Sequence, residues 1–250
     1  TVPAAGLSQR PLTDGDRAAV QFIETLPPPE KQRLSNWMTL YRENKAPSGT
    51  APAPRRLYGP ADAKMKMVEW VDIRCGHCKN LNDTMNELKR AAPEGSFSLE
   101  ARNFPLDSEC NSHVQMSDGQ GVRCTAAKAM ICLEPTKDYW ELRNSLFGAF
   151  SSLTKEKVLE LASAGSMKRP ELEACIASPD TAAKLKEDVD YAMKYNLQGT
   201  PLVVVNGREG FPGPTFLYTM ALTGAEATSP AFNALPAAAF VADEHAGHNH

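Results

Sequence analysis

The chain has 250 residues, in which 27 Lys and Arg face 30 Asp and Glu for a formal net charge of −3. With a pI near 6.0 there is no basic excess to neutralise a phosphate backbone, which argues against nucleic-acid binding. Hydrophobic residues at 42% and charged residues at 23% suit a globular chain with a sizeable core, and no run of about 18 apolar residues crosses a membrane. The first residue is Thr1, which reads as a processed or truncated chain with any signal peptide or anchor upstream.

Residues 1–56 read as a helical appendage and linker. Asp14 to Leu26 suits a short helix. From Pro29 to Glu43, Leu34, Trp37, Met38 and Tyr41 fall at i, i+3, i+4 and i+7. Such a stripe either packs on the main domain or forms a dimer contact. Lys45 to Arg56, rich in Pro, Ala, Ser and Gly, reads as linker.

Met65 to Asp72 is short, apolar and partly β-branched, as a buried strand is, and leads straight into Cys75-Gly76-His77-Cys78. A helical pattern follows, with Leu81, Met85 and Leu88 on one face, broken at Pro93, Glu94 and Gly95. Phe97 to Phe104 alternates as a second strand, so a βαβ unit is expected. The middle reads as helices over 122–133, 138–150, 154–164 and 170–177, with Thr154 as an N-cap, Gly165 as a C-cap and Pro170 in a first turn. A longer helix after Ser178-Pro179 carries Leu185, Val189 and Ala192 along one side. Leu202 to Val205 is a strand, Asn206-Gly207 a tight hairpin turn, and Thr215 to Leu222 a last helix. Residues 224–250 are Ala/Pro-rich and read as a disordered tail.

Six cysteines are the informative count: Cys75, Cys78, Cys110, Cys124, Cys132 and Cys175. A Cys-x-x-Cys pair where a strand meets a helix places the first sulfur at the helix N-terminus, where unpaired amides and the dipole favour an anion. Cys75 is thus the candidate nucleophile and Cys78, one turn in, the resolving thiol. His77 favours the Cys75 thiolate and a more oxidising disulfide. A zinc site competes with this reading, but Cys110 and Cys124 lack a second tight knuckle; a structural disulfide across two residues would be strained.

This pair, with Gly199-Thr200-Pro201 far downstream, resembles the thioredoxin superfamily, where a cis-proline loop faces the active cysteines. Residues 79–200 between them are too many for a plain thioredoxin, and the arrangement is similar to DsbA-like thiol–disulfide oxidoreductases. Tyr58-Gly59-Pro60-Ala61-Asp62-Ala63 with Val68-Glu69-Trp70 resembles that family's opening strand. Phe104-Pro105-Leu106-Asp107 through Cys110-Asn111 resembles DsbA-like modules fused to vitamin K epoxide reductase-type membrane proteins. Gly-His between the cysteines matches protein disulfide isomerases, and Thr200 before the proline the DsbC and DsbG branch, so the direction of reaction stays open.

The resemblance implies an α/β thioredoxin fold over 57–223, with a helical insertion at about 107–198 and the N-terminal helices as an appendage. It implies a periplasmic or other extracytoplasmic oxidoreductase of oxidase or isomerase type acting on protein thiols or disulfides, with a quinone-linked membrane redox partner. No cofactor or metal is needed, because the cysteines store the electrons. Thr200 and Pro201 would hold an extended client. The rival readings are a client-specific reductase and a redox-gated binding module or chaperone.

Glu69, six positions before Cys75, matches a buried acid of thioredoxin-like proteins that accepts the Cys78 proton; the alternative is a salt-bridged strand carboxylate. Arg74 and Lys79 either lower the Cys75 pKa or do nothing. Cys110–Cys124 is the shortest structural bridge, leaving Cys132 and Cys175 as a second bridge or as core thiols; sequence alone allows three pairings. His245, His248 and His250 read as incidental residues of the tail rather than metal ligands.

Overall fold

The computed structural model describes residues 6–240. The sheet is built on β2 (Met65–Val71) and β3 (Phe97–Asn103), which run parallel, Met65 opposite Phe97 and Val71 opposite Asn103, with α3 (Gly76–Ala91) as the crossover between them. A parallel pair requires such a crossover, and the Leu81, Met85 and Leu88 stripe lets α3 lie against the sheet. The hairpin of β4 (Leu202–Val205) and β5 (Arg208–Glu209) continues the sheet, β4 antiparallel to β2 with Glu69 opposite Val203. Asn206 and Gly207 turn it with φ of 46° and 81°, as a two-residue loop with both residues left-handed demands. Short β1 (Leu57–Tyr58) completes the order β1-β3-β2-β4-β5.

The strands bury both faces. Met65, Met67, Val71, Phe97, Leu99 and Ala101 face the main core, while Trp70, Leu202 and Val204 face a smaller one under α8 (Pro179–Met193). The apolar–polar alternation of β3 therefore does not mark a solvated face. Its polar residues Glu100 and Arg102 are buried in an ionic cluster. Arg102 pairs with Glu100 at 2.6 Å, Glu187 at 2.8 Å and Asp188 at 3.1 Å, while Arg55 pairs with Glu134 at 2.9 Å and Asp188 at 2.7 Å. Arg102 also donates to Ala53 O at 3.0 Å, which pins the segment read as a linker to the sheet.

Between β3 and β4 the chain forms α4 (Val122–Leu133), α5 (Tyr139–Gly148), α6 (Lys155–Ala162), α7 (Arg169–Ile176) and α8. Thr154 caps α6 by accepting from Lys157 N. Gly165 is not its C-cap, which is Ser163; a Cβ at Gly165 would stand 2.1 Å from Asp138 Oδ2, so any side chain there would displace the carboxylate that accepts from Ser166 N. Cys110 is joined to Cys124 and Cys132 to Cys175, with Cα separations of 5.8 and 6.0 Å.

The two N-terminal helices, α1 (Asp14–Thr25) and α2 (Pro28–Glu43), are part of the core. Leu34, Met38 and Tyr41 are buried within the chain, Tyr41 Oη donates to Val205 O at 3.0 Å, and Trp37 stacks on Phe211. The α2 stripe thus packs on its own chain, the first of its two readings, and is not available as a dimer contact. The disordered-tail reading also fails for 224–240. After α9 (Pro214–Leu222) a short 3-10 helix, Pro230–Ala234, buries Phe232 beneath the Arg42 guanidinium. Ser35 and Asn36 of α2 then donate to the carbonyls of Pro236 and Ala239 at 2.7 and 2.9 Å. His245, His248 and His250 lie outside the described residues.

Arg102→Met leaves Glu100 a buried carboxylate without its guanidinium partner and Asp188 with Arg55 alone, and is expected to cost about 3–5 kcal/mol in urea unfolding. Arg169→Ala, which breaks only exposed pairs to Glu156 and Glu173, should leave the urea midpoint essentially unchanged.

Candidate active site

The site forms where β2 ends beneath the start of α3. Cys75 is the N-cap of α3, its N–H donating to Asp72 O at 3.0 Å and its carbonyl accepting from Lys79 N at 3.0 Å. The two sulfurs meet different surroundings: Cys75 is half-buried, whereas Cys78 is fully buried inside the first turn. Asp72 N donates to Cys78 Sγ at 3.4 Å, and Cys75 Sγ, as a thiol, donates to Thr200 O at 3.5 Å. The Thr200–Pro201 peptide is cis, and this loop faces Cys75 from the start of β4. On another side, a Cβ at Gly76 would touch the Phe150 ring at 3.6 Å.

The Cys75 thiol is lowered to about 5, chiefly by the hydrogen bond from Cys78, with the backbone N–H of Cys78, the Thr200 side chain and the His77 N–H adding to it against the cost of burial. The Cys78 thiol is pushed well up, first by burial and then by the neighbouring Cys75 sulfur. Thr200 Oγ1 is buried with no aligned hydrogen-bond partner, yet it lies close enough to both sulfurs to favour their thiolates. His77 acts on Cys75 through its backbone; its ring is exposed and, among the described residues, makes no hydrogen bond or ion pair.

Glu69 is fully buried and sits 2.5 Å from Arg143 of α5, which also donates to Asn82 of α3. Its geometry is thus that of the salt-bridged carboxylate, with Oε2 left without a hydrogen-bond partner. No hydrogen bond joins Glu69 to Cys78 among the described residues. Behind this pair, Lys89 lies over the rings of Trp140 and Tyr58 at 4.1 and 4.6 Å, and burial lowers its amine to about 8. Lys79 pairs with Asp83 and Arg74 with Asp118, so both flanking cations carry carboxylate partners.

Three residues of the site escape sequence reasoning. Arg143 interrupts the apolar stripe Tyr139, Leu142, Leu146 of α5, an anomaly that marks a buried cation with a distant partner. Asp72 and Arg123 carry no local signal. Among the described residues, Asp107, Glu109 and Cys124 cluster as metal-type ligands, but the Cys124 sulfur is committed to a disulfide. The arrangement that remains is an accessible, readily ionised sulfur beside a buried one that holds its proton, which is suited to thiol–disulfide exchange.

The thiolate absorbance of Cys75 should titrate near pH 5, and between about pH 5 and 9 the reduced protein should gain stability over the oxidised one as pH rises, because its unfolded state binds the extra proton. Thr200→Val should raise the Cys75 midpoint and leave the far-ultraviolet circular dichroism unchanged.

Residues 52–211, more than half of the chain, match the model of a family described as thioredoxin. Among curated proteins, the Na(+)/H(+) antiporter NhaA 3 of Salinispora tropica is 25% identical over 157 residues, 63% of this chain and 22% of the antiporter, so the chain spans under a quarter of that relative. The probable disulfide bond formation protein D of Bacillus cereus is 26% identical over 185 residues, 68% of this chain and 79% of that protein. Among solved structures, oxidised BdbD from Bacillus subtilis is similar with a TM-score of 0.57 at 21% identity, covering 74% of this chain and 99% of that one. Alpha-DsbA1 of Wolbachia pipientis gives 0.52 at 21% identity, covering 62% and 76%. At such identities the likeness establishes the fold. Because the match to the family model takes in the sheet, the cysteine pair and the Thr200–Pro201 loop, the chain belongs to the thioredoxin family.

Proposed function

We propose that this protein is a DsbA-like thiol–disulfide oxidoreductase that oxidises cysteines of client proteins outside the cytoplasm. The asymmetry of the two sulfurs carries the reading. A Cys75 thiolate stabilised to about 5 is a good leaving group and makes the reduced state favourable, so the Cys75–Cys78 disulfide accepts electrons readily. In the first step a client thiolate attacks Cys75 Sγ, the Cys75–Cys78 bond breaks, and Cys78 leaves and takes up a proton. A second client thiolate then attacks the client sulfur of the mixed disulfide and releases the Cys75 thiolate. The client loses two electrons and the protein gains them.

Thr200 and Pro201 border the reacting sulfur and would hold the extended client beside it. Glu69, buried with Oε2 free of a hydrogen-bond partner, is the candidate proton acceptor for Cys78, with Arg143 holding the carboxylate in place. The two further disulfides support an oxidising compartment, and no helix among the described residues is long and apolar enough to cross a membrane. Reoxidation requires an acceptor of higher potential, for which a quinone-linked membrane partner is proposed. The likeness to the probable disulfide bond formation protein D agrees with this reading.

The test is twofold. Cys78→Ser should trap mixed disulfides when its Cys75 thiolate attacks clients that carry a disulfide, releasing one client thiol, while Cys75→Ser should trap almost none; equal trapping would mean that the roles are misassigned. The reduction potential of the pair should lie nearer the roughly −120 mV of DsbA than the roughly −270 mV of thioredoxin. A value at the thioredoxin end would replace the oxidase with a reductase.

A further inference from the structure

The stretch from Val71 to Cys75 is organised by one carboxylate. Asp72 is fully buried. Its Oδ1 accepts from Arg74 N at 2.6 Å and its Oδ2 from Leu106 N at 2.7 Å, while its carbonyl accepts from Cys75 N and its N–H reaches Cys78 Sγ. A buried carboxylate of this kind needs a countercharge. Arg123 supplies it from the second residue of α4, with Nη1 at 2.7 Å from Oδ2. That contact is an ion pair without an aligned hydrogen bond, and it leaves Nη1 a buried donor with no acceptor. The next residue, Cys124, is tied by its disulfide to Cys110, so the backbone carrying Arg123 is held at the site.

The Arg123 guanidinium also attracts the Cys75 sulfur when that is ionised. One cation thus faces the carboxylates of Asp72 and, farther off, Asp118, and with them the Cys75 thiolate, which exists only in the reduced protein. Arg74 and Asp118, the other charges at this turn, are paired with each other at 3.1 Å.

We propose that Asp72 and Arg123 are a positioning pair that fixes the redox turn and sets, through opposed charges, how oxidising the Cys75–Cys78 disulfide is. The inference rests on the reading of these cysteines as a reversible redox couple. Arg123 favours the reduced protein and Asp72 opposes it, so the helical insertion, through a single side chain, tunes chemistry that belongs to the sheet and α3.

The equilibrium with glutathione measures this: oxidised protein and two glutathione thiols give reduced protein and one glutathione disulfide. Arg123→Met should lower the equilibrium constant about three- to tenfold, tenfold being about 30 mV in the reducing direction. Asp72→Asn should raise it by a similar factor, and Arg123→Lys should stay within about twofold of the natural protein. Opposite signs are the signature of charge. Shifts of the same sign, or none, would overturn the proposal and leave the pair as a brace. Should Asp72→Asn fail to fold, the contrast between Arg123→Met and Arg123→Lys still decides, since Arg123 is partly exposed and Met keeps most of its apolar stem. A natural protein that reaches no equilibrium with glutathione would sink the functional reading itself, an outcome distinct from a normal potential unmoved by the variants.

Discussion

Ionising one sulfur and not its neighbour is the constraint on which the site depends. Both thiols belong to one helical turn, and the backbone alone separates them. Cys75 stands at the open end of α3, where Cys78 Sγ and the amides of residues 77 and 78 converge on it. Cys78 lies three residues deeper, in the apolar core with Leu81 and Met85, where a charge has no solvent. Each effect strengthens the other, because a thiolate at Cys75 raises the cost of a second charge at Cys78. Placement is therefore decided by where β2 stops: a residue more or less before the turn would move the first sulfur off the helix end or the second out of the core.

The helical insertion meets this turn through charge. Arg143 of α5 pairs with Glu69 on β2, and Arg123 of α4 pairs with Asp72 just past its end. On the opposite face, Asp188 of α8 receives Arg102 of β3 and Arg55 of the preceding segment. Carboxylates and guanidiniums cross the boundary in both directions, so neither the sheet nor the insertion buries its ionic groups without the other. The apolar part of the insertion, around Met130, Leu146, Val158 and Leu172, is continuous with the core formed by Met65, Leu81 and Phe97 of the sheet and α3.

Local pattern made the catalytic half of this legible. The strand Met65 to Asp72, the cysteine pair, the α3 stripe and the Asn206-Gly207 turn all carry their signal within a few residues, because period and turn chemistry act at that range. What escaped is long-range. Arg143 and Glu69 are 74 residues apart in sequence, and nothing near either one names its partner. Composition misled over residues 224–240: this Ala/Pro-rich stretch lacks periodicity, yet polar side chains on α2 donate to the carbonyls of Pro236 and Ala239. Alternation misled at β3, where the polar face of the strand turned out to be an ionic core. His77 was read for its ring, but its backbone N–H is what reaches toward Cys75.

Buried ion pairs are an unpromising way to add stability, since the desolvation of both partners offsets most of the attraction, but breaking one costs about 3–5 kcal/mol. That inequality explains their position here. Apolar contact between helix and sheet tolerates sliding, because one methyl group replaces another at small cost. A guanidinium seated on a buried carboxylate does not, because a displaced arginine leaves two bare charges. Glu69 and Asp72 lie three residues apart at the end of β2, and each is met by a different helix of the insertion. Two such contacts fix both the distance and the rotation of α4 and α5 relative to the turn that carries Cys75. The geometry of the site is thus held by pairs that penalise every other arrangement, and one of them, through Arg123, also places its charge near the Cys75 sulfur.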